Sequence, residues 1–202
     1  MNIPSILIIL IVALWLQYEI RKTKRLANKK TEDYWKRENQ SNLTRRLDIS
    51  NLDYISIPLD KLPMSDHTDA TINSYRDIIH KLSDKKILNL TGITNTELKL
   101  KYGVSNLNSL SECDNNYTTL VSMLHKWGEA LYHKNNIPEA LAVLEYAVSC
   151  NSDVSKTYKL LAIIYKEHNT PEKIDTLIHI LSYVKLLHTD TVIDELNRIK
   201  SV

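Results

Sequence analysis

The chain has 202 residues, of which 43% are hydrophobic and 25% charged, so it can form one modest globular domain with an accessory segment but not two full-sized domains. Three glycines and five prolines supply few turns, which argues against an all-β protein and predicts an all-α fold. The net charge of +2 comes from a basic N-terminal segment, residues 1–46, and the remainder is acidic, so no basic face for nucleic acid is predicted. Two cysteines are too few for a disulfide framework.

An apolar run at the N-terminus predicts a transmembrane anchor over residues 1–20. Residues 6–16 are all apolar, and a helix over residues 3–20 reaches roughly the ~30 Å of a bilayer core. The basic residues follow the run, whereas those of a secretory signal peptide precede it, so we expect a single-pass protein whose C-terminal domain is cytoplasmic. A buried core helix and a signal-peptide h-region are the alternatives.

The next two segments have no strong periodic pattern. Residues 21–50 are predicted to be a basic juxtamembrane helix or linker, whose Lys and Arg side chains either hold acidic lipid headgroups or are only solvated. Residues 51–64 are predicted to be an extended strap, because Pro58 and Pro63 exclude a continuous helix. The strap packs on the chain's own helices or serves as a docking peptide, and self-packing would bury its apolar residues.

Residues 65–120 are predicted to contain capping helices. Apolar residues recur at helical spacing up to residue 84, after a start that Ser65 or Thr68 can cap. A second, short helix begins with a capping box formed by Thr94 and Glu97 and ends at Gly103. A brief helical turn over residues 106–114 is expected before a longer helix that contains Trp127.

When the chain is aligned with itself, an internal repeat is found over residues 121–188. In the first helix of each unit, a pattern of large, large, small and large residues recurs, and the small residues, Gly128 and Ala162, allow close helix packing. In the second helix of each unit, Ala140 and Ala147 align with the larger Ile174 and Leu181, which indicates a looser crossing in the second unit.

This pattern resembles the tetratricopeptide repeat, a helix–turn–helix unit whose period, about 34 residues, is the same as that of this alignment. The resemblance covers residues 121–188, which give two repeats, and residues 189–202 are expected to form a C-terminal capping helix because the ends of such stacks need covering. The whole layout is similar to small single-pass tetratricopeptide proteins of Gram-positive bacteria, which implies a scaffolding role and no defined reaction.

The resemblance also implies a binding surface, because the first helix of each tetratricopeptide unit lines a concave groove. The candidate partner-binding residues are His125, Glu129, Tyr132, His133, Lys156, Lys159, Ile163 and Lys166. Ile163 stands where a carboxylate-clamp protein has Asn, so such a clamp is not expected. Tyr132 and Ile163 would be apolar anchors beside a basic rim, which suits a partner segment with acidic residues. The alternative is that the strap fills this groove.

No catalytic role is predicted, because no motif for a nucleophile, a phosphate-binding loop or a metalloprotease occurs. His125, Glu129 and His133 lie at successive helical turns, but one straight helix cannot bring all three to a zinc ion, so a polar helix face is expected and no metal or cofactor is predicted.

The sequence therefore predicts a membrane-anchored scaffold or adaptor, facing the cytoplasm, that binds a protein or peptide partner. A structural subunit of a larger membrane complex and an extracytoplasmic envelope factor with inverted topology are the alternatives.

Overall fold

The computed structural model describes residues 3–184 and 188–201, with side chains from residue 11 onward. Within these ranges helices are the only regular secondary structure, which confirms the all-α prediction. The helices are α1 (Ile3–Asn42), α2 (Ala70–Ser83), α3 (Asn95–Tyr102), α4 (Leu107–His133), α5 (Ile137–Ser149), α6 (Ser155–Glu167), α7 (Glu172–Leu181) and α8 (Thr189–Ser201), with a short 3-10 turn at Val104–Asn106.

The chain divides into two compact units. The first contains the described residues of Met1–Asp48 and Thr94–Leu107, and the second contains those of Ile49–Ile93 and Asn108–Val202. None of the described helices is both long enough and apolar enough to cross a membrane. Residues 1 and 2 of the predicted anchor, and the side chains of residues 3–10, lie outside the described residues.

In the first unit, α1 and α3 are joined by a polar network around Glu38. The Glu38 carboxylate pairs with the Lys99 ammonium and accepts a hydrogen bond from Thr96 Oγ1 at 2.7 Å. The hydrogen bonds from Lys99 and Thr96 lower the pKa of Glu38. The predicted capping box is confirmed, because Thr94 and Glu97 exchange both of its hydrogen bonds at the start of α3.

Gly103 ends α3 in a conformation that few other residues adopt. Its φ is +86° and its ψ is 149°, so it has the expected positive φ but not the left-handed helical geometry of the usual cap. A Cβ at this position would lie 2.5 Å from the carbonyl oxygen of Arg45. Glycine is therefore required here both by the backbone angle and by the close approach of the chain at residues 45 and 46.

In the second unit, the strap packs against the chain's own helices. Ile57 and Leu62 are buried in the core, in agreement with the expectation of self-packing. The Ile55 amide donates to the carbonyl of Ile87 at 2.9 Å, and the Tyr146 hydroxyl of α5 donates to the carbonyl of Ser56 at 3.2 Å. These contacts place the middle of the strap beside α5 and the segment that follows α2.

A second tie joins the residues at the start of α2 to the turn between α4 and α5. The Nδ1 atom of His67 accepts the backbone N–H of Asp69 at 2.9 Å, and its Nε2 atom lies 3.0 Å from the side-chain amide of Asn136. Asp69 also pairs with Lys134 at 2.9 Å, and hydrogen bonds from Lys134 and Thr71 lower its pKa to about 2. The start of α2 is thereby fixed to the turn between α4 and α5.

Two boundaries differ from the sequence predictions. Asp69, and not Ser65 or Thr68, caps α2, because its carboxylate accepts the amide of Thr71 at 2.8 Å. The segment 106–114 is helical almost throughout, as expected, but it is not a separate turn, because α4 runs without interruption from Leu107 to His133. Leu110 and Cys113 are buried on this first part of α4, so packing rather than a cap decides where the helix begins.

The helices α4 to α7 form two hairpins whose turns are equivalent. Asn135 and Asn169 occupy the same position in the two aligned units, and each adopts a positive φ, 61° and 55° respectively. The following amides, at Asn136 and Thr170, donate back to the carbonyls of Leu131 and Tyr165 at 2.9 and 2.8 Å. This long return bond beyond a left-handed residue ends α4 and α6 in the same way.

Gly128 lies at the tight crossing of the first hairpin. A Cβ added there would lie 2.4 Å from Leu144 Cγ and 2.5 Å from Leu144 Cδ2, so α4 and α5 approach as closely as glycine allows. The equivalent Ala162 is fully buried, as are Ile174 and Leu181, the larger residues of the second hairpin. The first hairpin therefore has smaller side chains than the second at these aligned positions, where Gly128, Ala140 and Ala147 correspond to Ala162, Ile174 and Leu181.

Candidate protein-binding surface

The face of α4 and α6 that was predicted to bind a partner is mixed in its exposure. Glu129, His133 and Lys156 are exposed, and Tyr132, Lys159 and Lys166 are partly exposed. Ile163 is 37% exposed, which is high for a large aliphatic side chain on a helix that is otherwise well packed. These residues belong to successive turns of α4 and α6, so they share a surface and do not converge on a single point.

His125 was predicted to be exposed, and this is wrong. Its side chain is only 8% exposed, and Nδ1 is buried without a hydrogen-bond partner in the described structure. The helix α4 has buried residues on a wide stripe, including Val121 and Leu124, because it packs against neighbours on more than one side. Desolvation lowers the pKa of His125, partly opposed by the negative charge of Glu129.

Tyr132 is held in place by α6 and is not a free anchor. Its hydroxyl donates to the carboxylate of Glu167, with distances of 3.0 and 3.1 Å to the two oxygens. Partial desolvation and this hydrogen bond raise the pKa of Tyr132. The bond joins the C-terminal ends of α4 and α6 and leaves the aromatic ring half-buried against the core.

Lys159 is part of an internal contact. Its ammonium pairs with the carboxylate of Glu195 on α8, and both side chains are a little over a third exposed. Lys159, which was predicted to lie on the basic rim, is therefore partly exposed and already paired within the chain. The helix α8 lies beside α6 on the predicted surface, at a position that was expected to be open or to be covered by the strap.

A surface groove of about 590 Å³ follows the contact between α6 and α8. It is lined by Ile163, Lys166, Glu167, Arg198 and Ile199. One helical turn beyond the Lys159–Glu195 pair, both helices present an isoleucine to this groove, Ile163 from α6 and Ile199 from α8. The two helices therefore run in the same direction, with an apolar floor between them.

Arg198 and Ile199 were not among the predicted binding residues, because α8 was expected only to cap the stack. A signal for them is present, because Glu195 and Ile199 have the same spacing as Lys159 and Ile163. Opposite charges at one position and matching apolar residues one turn later are compatible with two parallel, packed helices. Spacing alone does not show that these two helices are neighbours.

A second, smaller cleft lies between α5, α6 and α7. Its volume is about 350 Å³, and its apolar part includes Val148, Leu161 and Leu177. At one end, Glu145 accepts a hydrogen bond from the Tyr165 hydroxyl at 2.8 Å and pairs with Lys173 at 3.3 Å. The charges of this cleft are thus already paired within the chain.

Comparisons with protein-family models, with curated proteins and with solved structures found no match.

Proposed function

We propose that this protein is a scaffold or adaptor that binds another protein through the face formed by α4, α6 and α8. The observation that carries the proposal is the exposed groove beside α6, where apolar and cationic side chains of two helices lie together. Apolar residues in a surface depression with charged residues at its edge are the common arrangement of a protein-binding surface.

The two equivalent hairpins support the same proposal. The turns at Asn135 and Asn169 share a positive φ and a return hydrogen bond, as expected of repeated helix–turn–helix units. In a stack of such units, the first helices line one face and present side chains at regular intervals. We propose on this basis that the second unit is a tetratricopeptide-like repeat domain, with α8 in the place of a third first helix.

A tether to the membrane is the second part of the proposal. The large apolar side chains of α1 between residues 11 and 20 are all exposed, with fractions from 47% for Ile20 to 64% for Leu14. They point to every side of the helix, so no single face remains for contact with water. A lipid environment would cover them, and the basic residues that follow favour the cytoplasmic side. The proposal of a membrane tether is thus supported by the exposure of these apolar side chains and by the apolar run followed by basic residues in the sequence.

Site-specific photocrosslinking tests the binding function. A photoreactive residue is introduced in place of Lys156, which is exposed on α6, and as a control in place of Lys81, which is exposed on α2. Crosslinking is carried out in cells that produce the full chain, and adducts are identified by mass spectrometry. We expect a defined protein adduct from position 156 that is absent from position 81. Equal adducts at both positions, or none at position 156, would argue against a binding face on α4, α6 and α8.

A further inference from the structure

We infer that the groove between α6 and α8 binds a partner segment in which an aliphatic side chain is flanked by carboxylates. This inference rests on the proposed function and names the chemistry of the partner. The groove offers an isoleucine from each helix, Ile163 and Ile199, and two cationic side chains, Lys166 and Arg198. Each of these features points to one property of the occupant.

The apolar floor requires an aliphatic or other apolar anchor. Ile163 is 37% exposed, and Ile199 is partly buried against the core. An apolar side chain laid across both would remove from water a surface that neither helix covers. Burial of such an anchor contributes roughly 25 cal/mol for each square ångström of apolar area removed from water.

The cations determine the charge of the occupant. Within the described residues, neither Lys166 nor Arg198 forms an ion pair, whereas Lys159, Lys173 and Lys200 each pair with a carboxylate. The one acidic residue of the groove is Glu167, and its carboxylate accepts the hydrogen bond of Tyr132. Two unpaired cations therefore face the groove, and carboxylates of a partner can complement them.

The Lys159–Glu195 pair supplies an internal example of the same chemistry. There, a carboxylate from α8 meets a cation of α6 one turn before Ile163 and Ile199 line the groove. A partner segment with the order acidic, aliphatic, acidic would continue this arrangement along the groove towards Lys166 and Arg198. A nucleic acid or a lipid headgroup would satisfy the cations but would leave the isoleucines uncovered.

Binding of defined peptides to the full chain tests this inference. The first labelled peptide repeats Glu-Leu-Glu-Glu-Leu, the second has Gln at each Glu position, and the third has Ala at each Leu position. Fluorescence anisotropy gives the dissociation constants, and methyl NMR of isoleucine locates the binding. We expect the first peptide to bind most tightly and to shift the methyl resonances of Ile163 and Ile199.

Matched variants separate this groove from other cationic surfaces. Lys166→Gln and Arg198→Gln should each weaken binding of the first peptide roughly two- to fivefold, which lies within the range measured for exposed ion pairs. Lys81→Gln removes an exposed lysine of α2 and should leave the dissociation constant unchanged. Circular dichroism of each variant checks that the fold is retained.

Three results would overturn the inference. The first is equal affinity for the first and second peptides, and the second is the absence of a methyl shift at Ile163 and Ile199. The third is tighter binding of vesicles that contain phosphatidylserine than of the acidic peptide, with vesicle affinity reduced to the same extent in Lys166→Gln and Arg198→Gln. Any of them, together with a specific protein adduct at position 156, would leave the adaptor function in place and reject only this groove. Absence of that adduct would instead count against the function itself.

Discussion

Replacement of Gly128 by alanine tests the tight crossing of the first hairpin. The added Cβ would lie 2.4 Å from Leu144 Cγ and 2.5 Å from Leu144 Cδ2, whereas carbon atoms pack best at about 3.5–4.0 Å. Leu144 is fully buried, so its side chain cannot rotate into solvent to relieve the overlap. The small residue that the repeat pattern places at Gly128 therefore leaves no room for even one methyl group without a shift of Leu144.

The size of the effect follows from two opposing contributions. Overpacking of a well-packed core costs about 1–3 kcal/mol, and two overlaps of more than ~1 Å favour the upper part of that range. The change from glycine to alanine within a helix stabilises the helix by about 1 kcal/mol, because alanine has the higher helix propensity. We therefore expect Gly128→Ala to lower the free energy of unfolding by about 1–2 kcal/mol, and Gly128→Leu to lower it further.

Urea denaturation of the full chain, followed by circular dichroism, measures this change. A double-mutant cycle with Leu144→Ala identifies its cause, because removal of the leucine atoms also removes the overlap. Leu144→Ala alone should cost about 2–5 kcal/mol, and the double variant should cost at least ~1 kcal/mol less than the sum of the single changes. Wild-type stability of Gly128→Ala, or additive effects in the cycle, would refute the described crossing.

Three further predictions concern His125, Asn169 and the N-terminal segment. Burial lowers the pKa of His125 below its usual 6.5, so at mildly acidic pH the unfolded chain binds more protons than the folded chain, and the contribution of His125 to stability should be complete above pH ~6.5 and fall as the pH drops below it. Urea titrations of a His125→Gln variant should show a weaker pH dependence of stability. An unchanged pH dependence would contradict the assignment to His125. Asn169 has a φ of 55°, so Asn169→Ala should lower stability by about 1 kcal/mol and Asn169→Gly should not, and the reverse order in thermal melts would exclude the described turn. Deletion of residues 3–20 should move the chain from the membrane to the soluble fraction, and a truncated chain that still resists extraction with high salt would show that the tether lies elsewhere.

The sequence was most informative where a feature depends on neighbouring residues. The capping box of Thr94 and Glu97 involves two residues within one helical turn, and its residue types permit few other structures. Gly128 was recognised because a small residue among large ones at helical spacing marks a close crossing. The turns at Asn135 and Asn169 were missed although the two residues align in the repeat, because asparagine adopts the left-handed conformation less regularly than glycine and its presence does not predict it.

The candidate site was less predictable, since its geometry depends on residues distant in sequence. His125 lies on the same turn as buried residues, but its burial is decided by which helices pack beside α4. Lys159 meets Glu195 from a helix that is separated from α6 by the whole of α7, and the matched spacing of the two helices does not show that they are neighbours. For the same reason Arg198 and Ile199 could not be assigned to the groove until the position of α8 was known.

Hydrogen–deuterium exchange tests the central claim, that a partner protein binds on the face of α4, α6 and α8. The exchange of the full chain is compared with that of the chain bound to the protein identified by crosslinking at position 156. We predict slower exchange in Ser155–Glu167 and Thr189–Ser201 when the partner is bound, with unchanged exchange in Ala70–Ser83, the helix α2. Protection confined to α2, the strap and α5, with none in α6 or α8, would contradict the claim.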